Sequence, residues 1–77
     1  MIQSPEAAET ITLMVNGAPR EMGRNSTIAG LLGSLRIDPR LVVVEHNRSI
    51  LRDRDAYPSL ALSDGDVVEI VHFVGGG

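Results

Sequence analysis

The fold of this chain is decided by its most apolar run and the glycines behind it, Val67-Val68-Glu69-Ile70-Val71-His72-Phe73-Val74-Gly75-Gly76-Gly77. β-Branched residues dominate the first part of the run, which predicts a strand over residues 67–74. Glycine is costly to order and packs no side chain. The sequence therefore predicts a rigid strand that leads into a flexible glycine tail over residues 75–77.

The glycines alone leave two interpretations of this tail open. One is a frayed terminus without a function. The other is a tail that is inserted into the active site of a partner, because Gly75, Gly76 and Gly77 carry no Cβ atoms that would block a narrow channel. In the second interpretation the α-carboxylate of Gly77 is the group that the partner receives. The rest of the chain has to decide between the two.

Length and composition limit what the chain can be. Its 77 residues make one domain at most, and 43% hydrophobic residues supply enough apolar material for a core. The chain has no cysteine, which excludes disulfides and thiolate metal ligands and fits a cytoplasmic location. His46 and His72 lie far apart without ligand spacing, so no metal site is expected.

Charge, aromatic content and the length of the apolar runs argue against nucleic-acid and membrane partners. The net charge is -3, and the seven basic residues are arginines scattered among acids rather than clustered. Tyr57 and Phe73 are too few to form a base-stacking platform. No apolar run reaches the length of a membrane span, and the start of the chain lacks the pattern of a signal peptide.

Residues 1–9 predict a flexible leader, because they lack periodicity and contain Pro5. Alternation over residues 10–15 predicts a half-buried strand. Asn16-Gly17 then predicts a tight hairpin, since both residues accept positive φ. Pro19 lacks an N–H donor, which places the returning strand, residues 18–22, at an edge of the sheet.

A single helix follows the hairpin. Its apolar stripe, at helical spacing, consists of Ile28, Leu31, Leu32 and Leu35. Ser26 or Thr27 is the expected N-cap. Gly30 and Gly33 weaken such a helix, which suggests that its backbone lies close to another element.

The second half of the chain predicts short strands and turns. A buried strand over 41–46 is followed by a turn at 47–48 and a short return over 49–51. A solvated charged loop over 52–55, an apolar plug formed by Tyr57, Leu60 and Leu62, and a tight turn over 63–66 then complete this half. One helix must then cover one face of a small mixed sheet, which is an α+β arrangement. No nucleophile–base pair or phosphate loop occurs, so the chain is not expected to be an enzyme. Asp64 and Asp66 are interpreted as turn residues rather than catalytic ones.

Four segments carry a resemblance to a known family: Val15-Asn16-Gly17, Val42-Val43-Val44-Glu45 with Asn47, Ser63-Asp64-Gly65-Asp66, and the run from Val68 to Gly77. In this order they resemble the ThiS family, the sulfur carriers of thiamine biosynthesis. The resemblance covers nearly the whole chain from Ile11 onward. It implies the ubiquitin-like β-grasp fold over residues 10–74, with a mixed sheet of four to five strands and one main helix packed on one face.

The resemblance also implies a reaction sequence. An adenylating enzyme of the ubiquitin-activating type (ThiF-like) uses ATP to join AMP to the carboxylate of Gly77. A persulfide supplied through a cysteine desulfurase displaces AMP, and the product is a thiocarboxylate on Gly77. A thiazole synthase (ThiG-like) then takes the sulfur. The chain itself would bind no cofactor, would be a monomer when free and would be cytoplasmic.

A docking surface is expected beside the tail. If Val68 and Ile70 point to the core, the other residues of the last strand project to the open face of the sheet. Exposed apolar residues next to a functional tail indicate a partner surface, which we assign to Val67, Val71, Phe73 and Val74. The alternative is that these side chains pack under a loop.

Two other functions share these sequence features. The first is the small subunit of molybdopterin synthase or another thiocarboxylate sulfur carrier, in which the chemistry at Gly77 is the same and the sulfur acceptor differs. The second is a ubiquitin-like modifier or binding module, whose tail would form an amide with a target amine.

Overall fold

The computed structural model describes residues 9–74. The tail residues Gly75, Gly76 and Gly77, and all of the expected leader except Glu9, lie outside the described residues. The elements in chain order are the strands β1 (Thr10–Val15) and β2 (Ala18–Gly23), the helix α1 (Ile28–Ser34), the strands β3 (Val42–His46), β4 (Ser49–Ile50) and β5 (Val67–His72), with short 3-10 helices at Pro39–Leu41 and Arg54–Ser59.

The strands form one mixed sheet of five strands in the order β2-β1-β5-β3-β4. β5 is parallel to β1 and antiparallel to β3, so it occupies the centre of the sheet. Pro19 lies in β2, which is an edge strand, as its missing N–H donor predicted. The expected β-grasp arrangement is thereby confirmed: a mixed sheet with one main helix.

The core lies between α1 and one face of the sheet. Alternate residues of β1, β3 and β5 meet the apolar stripe of α1 there: Ile11, Leu13, Val42, Val44, Val68 and Ile70 from the strands, and Ile28, Leu31 and Leu32 from the helix. Tyr57 and Leu62, two residues of the predicted apolar plug, are also buried in this core. Full burial of one such side chain contributes about 1.5–3 kcal/mol, so burial in this core is a large favourable contribution to folding.

Thr27 is the N-cap of α1, and its Oγ1 accepts a hydrogen bond from the Gly30 N–H at 3.1 Å. The expectation that the helix glycines permit a close approach of another element is wrong. A Cβ at Gly33 would meet nothing within 4 Å, and one at Gly30 would meet only Thr27 Oγ1, at 3.5 Å. These glycines therefore lower helix stability without a compensating contact.

Several boundaries differ from the sequence-based expectation. Two of them differ by one residue: β2 extends to Gly23 rather than residue 22, and β4 ends at Ile50 rather than residue 51. Leu41 belongs to the first 3-10 helix and not to β3, because Asp38 caps that helix by accepting a hydrogen bond from the Arg40 N–H at 2.9 Å. Residues 54–59, expected as loop and plug, form the second 3-10 helix, which Asp53 caps. β5 ends at His72 rather than Val74, because its partner β3 begins only at Val42.

Candidate functional site

β5 is held on its β1 side by a side chain. β1 ends at Val15, so the ladder between the two strands covers only two residue pairs. Beyond it, Asn16 Oδ1 accepts a hydrogen bond from the Ile70 N–H at 2.7 Å, and Asn16 Nδ2 donates to the Ile70 carbonyl at 3.2 Å. The amide therefore replaces the next strand residue and satisfies two backbone groups that would otherwise be left unpaired.

A second asparagine holds the start of β5 from the β3 side. Asn47 Oδ1 accepts from the Val67 N–H at 2.8 Å, and the Asn47 N–H donates to the Val67 carbonyl at 2.8 Å. Asn16 and Asn47 both adopt a φ of 50° at the first position of a hairpin turn. The sequence predicted both turns, but it gave no signal that the two amides would bind β5.

The Asp-Gly-Asp turn before β5 is a hydrogen-bonded structural unit. His46 Nε2 donates to Asp66 Oδ2 at 2.7 Å, and the Ser63 N–H donates to the same oxygen at 2.8 Å. Asn47 Nδ2 donates to Asp66 Oδ1 at 3.1 Å. Asp64 Oδ1 accepts from the Thr12 N–H at 2.7 Å. Both aspartates thus act as turn residues, which is how the sequence was interpreted.

The electrostatics of Asp66 follow from these contacts. Burial is the largest single influence on the pKa of Asp66, and burial raises it. The hydrogen bonds from His46, from the Ser63 N–H and from Asn47 together outweigh burial, so the pKa of this carboxyl lies below its ordinary value. Asp66 is therefore an ionised anchor for the turn at neutral pH.

The face of the sheet opposite α1 carries exposed apolar side chains. The exposed fractions are 41% for Val67, 63% for Val71, 53% for Phe73 and 99% for Val74, so none of the loops within residues 9–74 covers them. The strand register places two more exposed apolar side chains on this face. They are Met14 of β1, which pairs with Val67, and Ile50 of β4, which pairs with Glu45 of β3. Sequence reasoning missed Met14 and Ile50, because only the register shows which strand residues become neighbours.

Arg54 lies beside the end of β5. Its Nε donates to the Pro39 carbonyl at 2.8 Å and its Nη2 to the Val42 carbonyl at 3.3 Å. Its guanidinium carbon lies 5.9 Å from the centroid of the Phe73 ring. Residues 52–55 are all exposed, as expected for a solvated charged segment. No pattern in the sequence pointed to the contacts that Arg54 makes.

The described residues offer little chemistry of their own. A groove of about 290 Å³ between the β1–β2 hairpin and the end of α1 is lined by Val15, Asn16, Ala18, Pro19, Arg20, Leu35 and Ile37. Arg20 is the one titratable side chain in that lining, so the groove holds no acid–base pair. Among residues 9–74, no three histidine or carboxylate side chains converge on a point where a metal ion could bind. None of the helices in this range could cross a membrane, since none is long and apolar enough.

Comparison with known proteins places this geometry in context. The profile of the ThiS family matches residues 13–77. The sulfur carrier protein ThiS of Bacillus subtilis is 41% identical over 66 residues, which cover 84% of this chain and 98% of that protein. The crystal structure of the thiamine biosynthesis protein (ThiS) from Geobacter metallireducens superimposes with a TM-score of 0.74 at 34% identity, over 87% of this chain and 100% of that one.

Two longer relatives share the same segment. The thiazole synthase of Paramagnetospirillum magneticum is 43% identical over 65 residues, which cover 84% of this chain and 20% of that protein. The thiazole synthase of Magnetococcus marinus is 38% identical over 63 residues, which cover 82% of this chain and 19% of that protein. This chain thus spans about a fifth of the length of these two relatives.

Proposed function

This chain belongs to the ThiS family, and from that premise we propose that it is a sulfur carrier of thiamine biosynthesis. The observation that carries the proposal is the family match, which extends through the glycines to residue 77. It is supported by the 98% coverage of the Bacillus subtilis sulfur carrier. In this role the chain is a substrate of other enzymes and not a catalyst.

The chemistry takes place at Gly77. A carboxylate is a poor acyl donor, because its leaving group would be oxide. Attack of the Gly77 carboxylate on the α-phosphate of ATP expels pyrophosphate and forms an acyl adenylate. The terminal sulfur of a persulfide then attacks the acyl carbon, and AMP leaves. Cleavage of the remaining sulfur–sulfur bond by a thiol releases the thiocarboxylate.

The partners follow from these steps. A ThiF-like adenylating enzyme binds the ATP, a cysteine desulfurase supplies the persulfide, and a ThiG-like thiazole synthase accepts the sulfur. The thiazole synthase has the most direct support, since a segment similar to this chain forms part of two proteins of that name. An ATP-consuming sequence of this kind fits a cytoplasmic location, and the carrier is a monomer that visits each enzyme in turn.

The geometry supports docking through the open face of the sheet. β5 is ordered up to His72, and the exposed residues Phe73 and Val74 lead directly to the glycines. An enzyme that grips Val67, Val71 and Phe73 would hold the strand while Gly75, Gly76 and Gly77 extend into its active site. Glycine suits this path, because a narrow channel leaves no room for side chains.

The test is the intact mass of the chain after incubation with ATP, an adenylating enzyme of the ThiF type, a cysteine desulfurase and cysteine. We expect a mass gain that matches the replacement of one oxygen by sulfur. The control is a variant that lacks Gly77, which should stay unmodified. No gain in the intact chain, with a known ThiS converted in parallel, would refute the proposal.

A second incubation of the product, with a candidate target protein, a thiazole synthase or molybdopterin synthase, separates the alternatives. A tail joined to a target amine would indicate a ubiquitin-like modifier. A thiocarboxylate that a thiazole synthase cannot use, but that molybdopterin synthase can, would indicate the carrier of that pathway. The names of the similar proteins, a thiamine sulfur carrier and two thiazole synthases, favour thiamine.

A further inference from the structure

Within residues 9–74, the last backbone contact of the strand that leads to the tail is a single hydrogen bond. His72 lies opposite Val42 at the end of the β3–β5 ladder. Beyond it, the Phe73 N–H donates to the Leu41 carbonyl at 2.9 Å. Val74 is 99% exposed. The direction in which the chain leaves the sheet therefore depends on what holds Leu41 and Phe73.

Apolar burial does not hold either residue. The exposed fractions of Leu41 and Phe73 are 55% and 53%. The segment around Leu41 is held by its own 3-10 helix, in which the Leu41 N–H donates to the Asp38 carbonyl at 3.0 Å. Arg54 adds two hydrogen bonds, to the Pro39 carbonyl at 2.8 Å and to the Val42 carbonyl at 3.3 Å. These carbonyls lie on both sides of Leu41. Because the guanidinium donors form a rigid planar fork, the two bonds fix the segment that receives the Phe73 N–H.

The same guanidinium contacts the ring of Phe73. The 5.9 Å between its carbon and the ring centroid lies within the range of a cation–π interaction. One side chain thus binds the backbone on both sides of Leu41, whose carbonyl receives the Phe73 N–H, and contacts the ring of Phe73. A lysine could not reproduce this, since its ammonium is a point charge without the planar fork.

We infer that Arg54 is a positioning residue that fixes the exit of the tail from the sheet. The inference rests on the proposed function, because a fixed exit matters when an adenylating enzyme must receive the tail. Without Arg54, the enzyme has to order Phe73 on binding. That cost affects binding equally before and during the reaction, so it raises KM for the carrier and leaves kcat unchanged.

The first test uses the free protein and needs no partner. Amide hydrogen exchange of Phe73 is measured in the wild type, in Arg54→Gln and in the control Arg52→Gln, which removes an exposed charge from the same segment. The Asn47 amide, bonded to Val67 at the other end of β5, is the internal reference. We expect Phe73 to exchange about two- to fivefold faster in Arg54→Gln only, as loss of an exposed cation–π contact predicts.

Two further variants separate the charge from the geometry. Arg54→Lys keeps the charge but loses the fork, so it should restore only part of the protection. Phe73→Leu removes the ring. In that background, Arg54→Gln should therefore raise the KM of the adenylation assay described below by less than it does in the wild type. If Arg54→Gln fails to fold by circular dichroism, the comparison of Arg54→Lys with Arg52→Gln decides in its place.

The second test is the adenylation assay with purified ThiF-type enzyme. We expect KM for the carrier to rise about two- to fivefold in Arg54→Gln, with kcat unchanged and Arg52→Gln equal to wild type. Unchanged Phe73 exchange overturns the inference, and so does faster exchange with unchanged KM. Failure of the wild type to be adenylated counts against the proposed function instead, and the exchange measurement then decides on Arg54 alone.

Discussion

Asn16 binds both backbone groups of Ile70, although 54 positions separate the two residues in the sequence. The first hairpin turn and the strand that leads to the tail are thereby joined by one side chain. The contact extends a parallel ladder that covers only two residue pairs. The amide of Asn16 is therefore a structural part of the central strand.

Replacement of Asn16 by glycine should destabilise the protein by about 1–3 kcal/mol, because it leaves two partly buried groups of Ile70 without partners. Glycine is the appropriate substitution, since it keeps the positive φ that this turn position requires. Urea denaturation measures the change. Asn16→Asp is the matched variant, because its carboxylate can still accept from the Ile70 N–H but cannot donate to the Ile70 carbonyl. Its free energy of unfolding should lie between those of the wild type and Asn16→Gly. Equal stability of all three would contradict this role.

The stability of the fold should fall at acidic pH through Asp66. The pKa of Asp66 is lowered in the folded state, so its contribution is fully present above the ordinary carboxyl pKa of about 4 and is lost as the pH falls through the lowered value. Asp66→Asn should cost about 1 kcal/mol at pH 7 and should flatten the stability profile below pH 4. The measurement is urea denaturation at several pH values, with Asp55→Asn as an exposed control. A profile for Asp66→Asn as steep as that of the wild type would refute the prediction.

Gly33→Ala should stabilise the protein by up to about 1 kcal/mol. Gly33 is exposed in α1, and a Cβ there would meet nothing within 4 Å. The opposite sign is expected for Gly17→Ala, because Gly17 has a φ of +81° and alanine is strained there. Thermal denaturation of both variants checks the pair. A lower melting temperature for Gly33→Ala than for the wild type would contradict the prediction.

Phe73→Ala should weaken binding of the adenylating enzyme by more than about 1 kcal/mol and should leave the fold nearly unchanged. The reason is that 53% of Phe73 is exposed, so it contributes little to the core. Titration calorimetry gives the affinity, and circular dichroism monitors folding. Glu21→Gln, on the edge strand β2, is the surface control. An unfolded Phe73→Ala variant whose folded fraction binds normally would remove Phe73 from the docking surface.

The sequence was sufficient for the architecture because local signals agreed with one another. Alternation in β1, the Asn-Gly turn and the apolar stripe of α1 each specify one element, and one helix leaves few ways to cover a small sheet. The contacts of Asn16, Asn47 and Arg54 were not predictable. These contacts join residues that are distant in the sequence, or they depend on the rotamer of one side chain. Contacts of either kind leave no periodic pattern in the sequence. The same holds for Met14, which joins the docking surface only through the parallel register with Val67.

The central place of β5 also has a mechanical consequence. In the proposed role, an enzyme that drew the tail into its active site would pull along the axis of β5. Because β5 pairs with β1 over two residue pairs and with β3 over five, such a pull would load both ladders in shear. An edge strand would instead offer one ladder, which could be peeled off. In the proposed role, both neighbouring strands of β5 would share a load that a partner enzyme applied through the tail.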